Sequence, residues 1–172
     1  FFKLLFPDTF KALGDNKAVH YQALIEEAMR ATDSRYANEQ SLNPGFLFAV
    51  ILWPALQELI SAHPARKTKL HFVLHQSVAE VLKQQVQVLS IPKRLTAMMR
   101  DVWMLQYHLK QRRGKRVFRT LNHRFYRAAI DFMMLRAKVG EPVHELVNWW
   151  QRFQAANDEE RQQMLEVLAK HK

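Results

Sequence analysis

Asn43-Pro44-Gly45-Phe46-Leu47-Phe48-Ala49-Val50-Ile51-Leu52-Trp53-Pro54-Ala55-Leu56 is the stretch that decides the fold. Asn43 is a good helix cap, and Pro44 suits the first turn, where a missing N–H costs nothing. From Phe46 to Leu56 the segment is apolar on every side. A helix of that kind belongs at the centre of a protein, covered by other helices. The apolar run is 11 residues, whereas a bilayer crossing needs roughly 20. A core helix is therefore expected, with no membrane span. Pro54 lacks a backbone donor and its ring presses on the turn before it, so a kink or break is expected near Ile51–Pro54.

Outward from this segment the chain reads as helix after helix. Toward the start, Pro7 and Asp8 open a short helix that Gly14 ends. Asn16 caps a second helix, with Tyr21, Leu24, Ile25, Ala28 and Met29 on one face. Toward the end, Thr68 opens a helix given apolar surface by Phe72, Val73, Val78, Ala79, Val81, Leu82 and Val86. After Ile91-Pro92, residues Leu95, Met98, Met99, Val102, Leu105 and Leu109 form one stripe from Lys93 onward. Gly114 interrupts a basic turn, and Asn122 precedes a helix carrying Phe125, Ala128, Ala129, Phe132, Leu135 and Arg136. Gly140 and Pro142 punctuate. Val143, Leu146, Val147, Trp150 and Phe153 make another stripe, and Asn157 with Asp158 and Glu159 opens a last helix through Leu168.

No stretch alternates with period two, and 4 Gly and 6 Pro are few for an all-β protein. The expected fold class is all-α: a bundle of roughly seven to nine helices, with neighbours antiparallel because the connections are short. Two subregions are expected within one compact unit, a helical body over 1–90 and a basic half over 91–172.

There are no cysteines, which excludes disulfides, zinc–thiolate centres and cysteine nucleophiles and fits a cytoplasmic protein. The start, Phe1-Phe2-Lys3, has no Met, no basic leader and no small-residue cleavage site. It reads as a piece of something longer. The 26 Lys and Arg outnumber the 16 Asp and Glu, giving a net charge of +10. From Ile91 to Val139 there are 13 Lys and Arg against two acids, Asp101 and Asp131, so the whole excess lies in one segment. Such a segment favours polyanions.

No catalytic residue is identified. The chain has no Gly-rich phosphate loop, no Gly-x-Ser-x-Gly and no Asp-x-Asp pair that could converge on divalent ions. Glu26-Glu27 and Asp158-Glu159-Glu160 point in diverging directions along a helix and read as solvated faces. His71 and His75, four apart, could offer two ligands to a metal, but no motif names a third. They read as exposed surface, and no metal site is assigned.

The basic segment carries the functional signal. Lys110, Arg112, Arg113, Lys115, Arg116 and Arg119 are six cations within ten residues, without an acid among them. Lys93, Arg94, Arg100, Arg124 and Arg127 flank them. Clustered cations release counterions from a nucleic acid, and Arg matches phosphate with a planar fork. These eleven residues are the candidate nucleic-acid-binding set, which the resemblance given below narrows to RNA. Trp103 and Tyr107 fall beside Arg100 and Lys110 at three-and-four spacing. They are candidates for stacking unpaired bases, although Trp103 can equally finish the core. Trp149-Trp150 reads as core and rim.

Several runs of residues resemble a known family. Thr32-Asp33-Ser34-Arg35, Asn43-Pro44 with Phe46-Leu47-Phe48-Ala49, and Ile91-Pro92-Lys93-Arg94-Leu95-Thr96 followed by Arg100-Asp101-Val102-Trp103 look like the body of bacterial poly(A) polymerases. So do Leu105-Gln106, Gly114-Lys115-Arg116, Arg127-Ala128-Ala129 with Asp131, Leu135-Arg136-Ala137 and Trp149-Trp150. The resemblance runs in order from Phe6 to Gln154. It implies membership of the nucleotidyltransferase superfamily shared with tRNA CCA-adding enzymes. That family is implied to add adenylate from ATP to RNA 3′ ends with magnesium, using carboxylates in an N-terminal catalytic head that precedes the matched region. The resemblance therefore implies RNA, as single-stranded 3′ ends, and the head as partners. ATP and magnesium would belong to the parent enzyme, with no cofactor in this segment. The family often ends in a long Arg- and Pro-rich tail, whereas this chain closes on Ala169-Lys170-His171-Lys172.

Two rival readings share the same charge map. One is a helical protein-interaction module docking an acidic partner. The other is the equivalent domain of a tRNA CCA-adding enzyme.

Overall fold

The computed structural model describes residues 1–14, 18–63 and 69–171. Asn16 and Thr68, the expected caps of two helices, lie outside the described residues. Among the described residues there are ten helices: α1 (Phe2–Leu5), α2 (Pro7–Ala12), α3 (Ala18–Ala37), α4 (Pro44–Ala62), α5 (Leu70–Val88), α6 (Lys93–His108), α7 (Lys115–Leu121), α8 (Tyr126–Lys138), α9 (His144–Ala155) and α10 (Asp158–Lys170). The fold is all-α. The count exceeds the expectation because a short turn of helix, α1, precedes Pro7 and because the basic stretch after Gly114 is itself helical. Two compact units divide the chain, Phe1–Trp103 and Met104–Lys172.

The first unit is built on α4. The Asn43 side chain accepts the Phe46 N–H at 3.3 Å, with Pro44 in the first turn. Every residue from Ala49 to Leu56 is buried, because α2, α3 and α5 all pack on this helix. The helix runs unbroken through Pro54, so of the expected kink or break, the break does not occur. Long-range donors supply the reason. Pro54 leaves the Val50 carbonyl without its helical donor. The carbonyls on either side of it accept side-chain bonds from distant elements: Thr9 Oγ1 donates to Ile51 at 2.8 Å and Trp103 Nε1 donates to Ala49 at 2.9 Å. α4 has 19 residues and a mean hydropathy of 1.6 over 18 of them, long and apolar enough to cross a bilayer by length and composition, which the 11-residue count argued against. Its unbroken burial from Ala49 to Leu56 is that of a core helix.

On α5 the buried stripe is Val73, Leu74, Ser77, Val78, Val81, Leu82 and Gln85. Phe72, Ala79 and Val86, expected inside, share one outward face instead. The inward place of Gln85 follows from its bond, since its amide donates to the Leu5 carbonyl at 2.7 Å and so satisfies the end of α1. On α3, Leu24 and Ala28 are buried while Met29 is exposed. The α6 stripe is inside throughout, from Leu95 to Leu109.

The second unit closes around Leu105, Leu109, Val117, Tyr126, Ile130, Met133, Val147, Trp150 and Phe153. Trp150 is fully buried, and its indole donates to the Leu109 carbonyl at 2.8 Å, just past the end of α6 where helical partners run out. Tyr126 donates to the Trp150 carbonyl at 3.3 Å. Gly140, with φ of +103°, closes α8. The Gly140 N–H reaches the Ala137 carbonyl and the Glu141 N–H reaches Arg136, the paired bonds of a Schellman motif. That turn brings Glu141 back against Arg136, whose Nε donates to its carboxylate while Nη1 donates to Gln106 at 2.9 Å.

Asn157 caps α10 by accepting the Glu160 N–H at 2.8 Å. Arg161 then donates to the carbonyls of Phe153 and Gln154, at 2.9 and 3.0 Å, and so closes the last turn of α9. The final helix is thus tied to the core of its unit.

Candidate nucleic-acid interface

The basic cluster of the second unit begins where α6 unwinds. The N–H groups of Lys110 and Gln111 bond three residues back, to Tyr107 and His108, and the chain leaves the helix. Gly114 turns it, with φ of +57° and ψ of −146°, a conformation suited to glycine, and α7 starts immediately. On α7, Val117 and Thr120 face inward. Lys115, Arg116 and Arg119 are exposed, and their three-and-four spacing places them on the opposite side of the helix. Arg113 is exposed just ahead of them, Arg124 follows in the turn after α7, and Arg127 stands in the first turn of α8.

Among the described residues, Arg112 is the cluster member that pairs with a carboxylate. Its Nη1 lies 2.8 Å from Glu145, its guanidinium carbon is 5.3 Å from the centre of the Trp149 ring, and its side chain is 19% exposed. Arg116 donates to the Gln111 side chain at 3.2 Å. Arg113, Lys115, Arg116, Arg119, Arg124 and Arg127 have no carboxylate partner among the described residues and keep their charges toward solvent.

Placing cations there costs stability. The first turns of α7 and α8 contain no acid, while Lys115, Arg116 and Arg127 occupy them. A cation near a helix N-terminus is disfavoured by about 0.3–1 kcal/mol. The last helix does the opposite, with Asp158, Glu159 and Glu160 in its first turn. The sequence can follow the electrostatic rule, and departs from it where the basic face lies. An anion seated on that face would offset the penalty.

Lys93, Arg94 and Arg100 are exposed on α6, but in the first unit. The face described here is confined to the second. Trp103 is fully buried with its indole bonded to Ala49, so, contrary to the stacking expectation, it has no open surface for a base. Tyr107 is half-buried, with the Lys110 ammonium 5.5 Å from its ring centre. Sequence reading missed the residues that hold the cations: Glu145 and Trp149 for Arg112, and Gln111 for Arg116. It missed Phe125 as well, whose ring lies 4.4 Å from the Arg124 guanidinium carbon, whereas Tyr107 beside Lys110 was read from its spacing.

The rings of His71 and His75 lie 4.3 Å apart. Among the described residues no three His, Cys, Asp or Glu side chains converge as metal ligands.

Comparison with known proteins agrees with the charge map. A family profile described as polymerase A arginine-rich C-terminus matches residues 66–172. Poly(A) polymerase I of Escherichia coli O157:H7 is 34% identical over 170 residues, covering 97% of this chain and 37% of the relative. The proteins of the same name from Salmonella typhimurium and Haemophilus influenzae are 35% and 33% identical over 171 residues. The chain thus spans 37% of the length of these relatives. The similarity also covers the last helix, beyond the Gln154 limit of the motif resemblance.

Proposed function

The chain belongs to the polymerase A arginine-rich C-terminus family, and from that premise we propose that its second unit holds RNA for a poly(A) polymerase. In this reading a catalytic head supplies adenylate transfer from ATP, with magnesium, to single-stranded RNA 3′ ends in the bacterial cytoplasm. The unit described here keeps the strand within reach. The observation that carries the proposal is the outward face of α7. Lys115, Arg116 and Arg119, with Arg113 before them, are exposed and have no carboxylate partner among the described residues. A solvated face ordinarily mixes both signs.

The chemistry asked of this face is binding. Cations at three-and-four spacing along one helix displace the counterions condensed on a phosphodiester chain, and the released ions supply the free energy. Affinity should therefore fall with salt, with a logarithmic slope of about −0.7 for each phosphate neutralised on a single strand. Replacing Arg113, Lys115, Arg116 and Arg119 together by Ala should reduce that slope by about 3. Oligonucleotide titrations across a series of salt concentrations read it directly. A slope unchanged by the four substitutions overturns the assignment of this face.

A further inference from the structure

Among the described residues of the second unit, no Phe, Tyr or Trp is exposed. Trp149, Trp150, Phe132, Phe153 and Tyr126 are buried. The half-buried rings nearest the basic face are engaged. Lys110 lies over Tyr107 at 5.5 Å and Arg124 over Phe125 at 4.4 Å, while Phe118 packs on Phe153 at 5.8 Å. Even the buried Trp149 presents its ring to a cation, Arg112, at 5.3 Å. Three members of the cluster thus rest on aromatic faces, and those faces are the ones a nucleobase would need.

Resting on the RNA-holding reading above, we propose that this face recognises the sugar–phosphate strand alone and contributes no base stacking. The rings act as positioning groups. A cation held over an aromatic face keeps its N–H donors directed outward and surrenders less rotamer freedom when a phosphate arrives. Proteins that hold single strands by stacking leave aromatic platforms open beside their cations. Here the cations cover them. The ligand class is a polyanionic phosphodiester chain of any base composition. Any preference for adenine in the whole enzyme must come from residues outside this face.

The test uses the 172-residue chain and three labelled strands of about 20 nucleotides: oligo(A), oligo(U), and a ribose-phosphate strand lacking bases. Fluorescence anisotropy at one salt concentration gives their affinities. The expected result is agreement within about threefold, because each strand presents the same number of phosphates. A base-bearing strand bound roughly fivefold or more tightly than the abasic strand, the contribution of one stacked base, overturns the proposal. Tyr107→Leu provides a second measurement. It should change all three affinities by one common factor, and a loss confined to oligo(A) and oligo(U) also overturns the proposal. Salt-dependent binding with a base preference sinks this inference and leaves the RNA-holding reading standing. Failure of all three strands to bind sinks both.

Discussion

In the first unit Trp103 is fully buried and its indole donates to the Ala49 carbonyl, while in the second Trp150 is equally buried and donates to Leu109. The two cores thus use the same device, a large ring that fills space and returns a donor to a helix carbonyl. The surfaces are unlike. Phe1–Trp103 carries 12 Lys and Arg with nine acids, and exposes Phe1, Phe10, Tyr36 and Phe72. Met104–Lys172 carries 14 Lys and Arg with seven acids, and none of its described aromatics is exposed. Folding demands constrain the two cores alike. The difference outside them is one of charge: the excess of cations is 12 − 9 = 3 in the first unit and 14 − 7 = 7 in the second, where the exposed cations of α7 have no carboxylate partner among the described residues.

The likeness of the cores is where the largest effects are expected. Trp103→Ala and Trp150→Ala should each destabilise the protein by about 3–5 kcal/mol, since each removes a buried ring and a donor to a helix carbonyl. Urea unfolding midpoints measure both. A cost below about 1 kcal/mol for either, well under the range for a buried large ring, would mean that its site can collapse and that the cores are not alike.

Within the second unit, arginine does two kinds of work, and substitution should separate them. Arg136 is buried, and its guanidinium is shared between Glu141 and Gln106. Arg136→Met should cost about 3 kcal/mol, because it takes away one half of a partly buried ion pair. Arg113 is exposed, and Arg113→Met should leave stability within about 0.5 kcal/mol. Both changes remove one positive charge, so net charge cannot explain a difference between them. Equal losses of stability would erase the distinction between arginines that hold the fold and arginines that face a ligand.

The helices could be read from the sequence wherever the signal is local. Asn43 and Asn157 cap α4 and α10 through bonds three residues away, and the stripe from Leu95 to Leu109 is buried as its spacing requires. The basic segment was equally plain, since charge survives any arrangement of the chain. What could not be read depends on partners far along it. Thr9 and Trp103 reach the turn around Pro54 from 42 and 54 residues away, and they steady a helix whose own sequence suggests a break. Arg112 meets Glu145 across 33 residues. Stacking by Trp103 and its burial fit one and the same helical spacing, and only the position of α4 decides between them. The outward turn of Phe72 has the same origin. Gln85 faces inward to meet Leu5 on the same side as Val73, Leu74, Val78, Val81 and Leu82, and that buried stripe leaves Phe72 on the outer face.

The smallest expected effect tests how tightly the second core is sealed. Burial pushes the Tyr126 hydroxyl up to about 12 from an ordinary 10.0, with nearby Arg161 acting in the opposite direction. An unfolded chain releases that proton near 10, while the native protein retains it to about 12. Over this interval the unfolded state binds fewer protons, so stability falls as pH rises, and at neutral pH the shift contributes nothing. Tyr126→Phe removes both the titration and a 3.3 Å hydrogen bond to Trp150. Near pH 7 the variant should be less stable than the parent by about 0.5–1 kcal/mol, the worth of one modest hydrogen bond. Above pH 10 its melting temperature should fall less steeply than the parent's, and the two curves should converge. The loss of lysine charge at high pH is common to both proteins and drops out of the comparison. Melting curves that stay parallel throughout would mean that water reaches this hydroxyl, and that the second core is looser around Trp150 than the first is around Trp103.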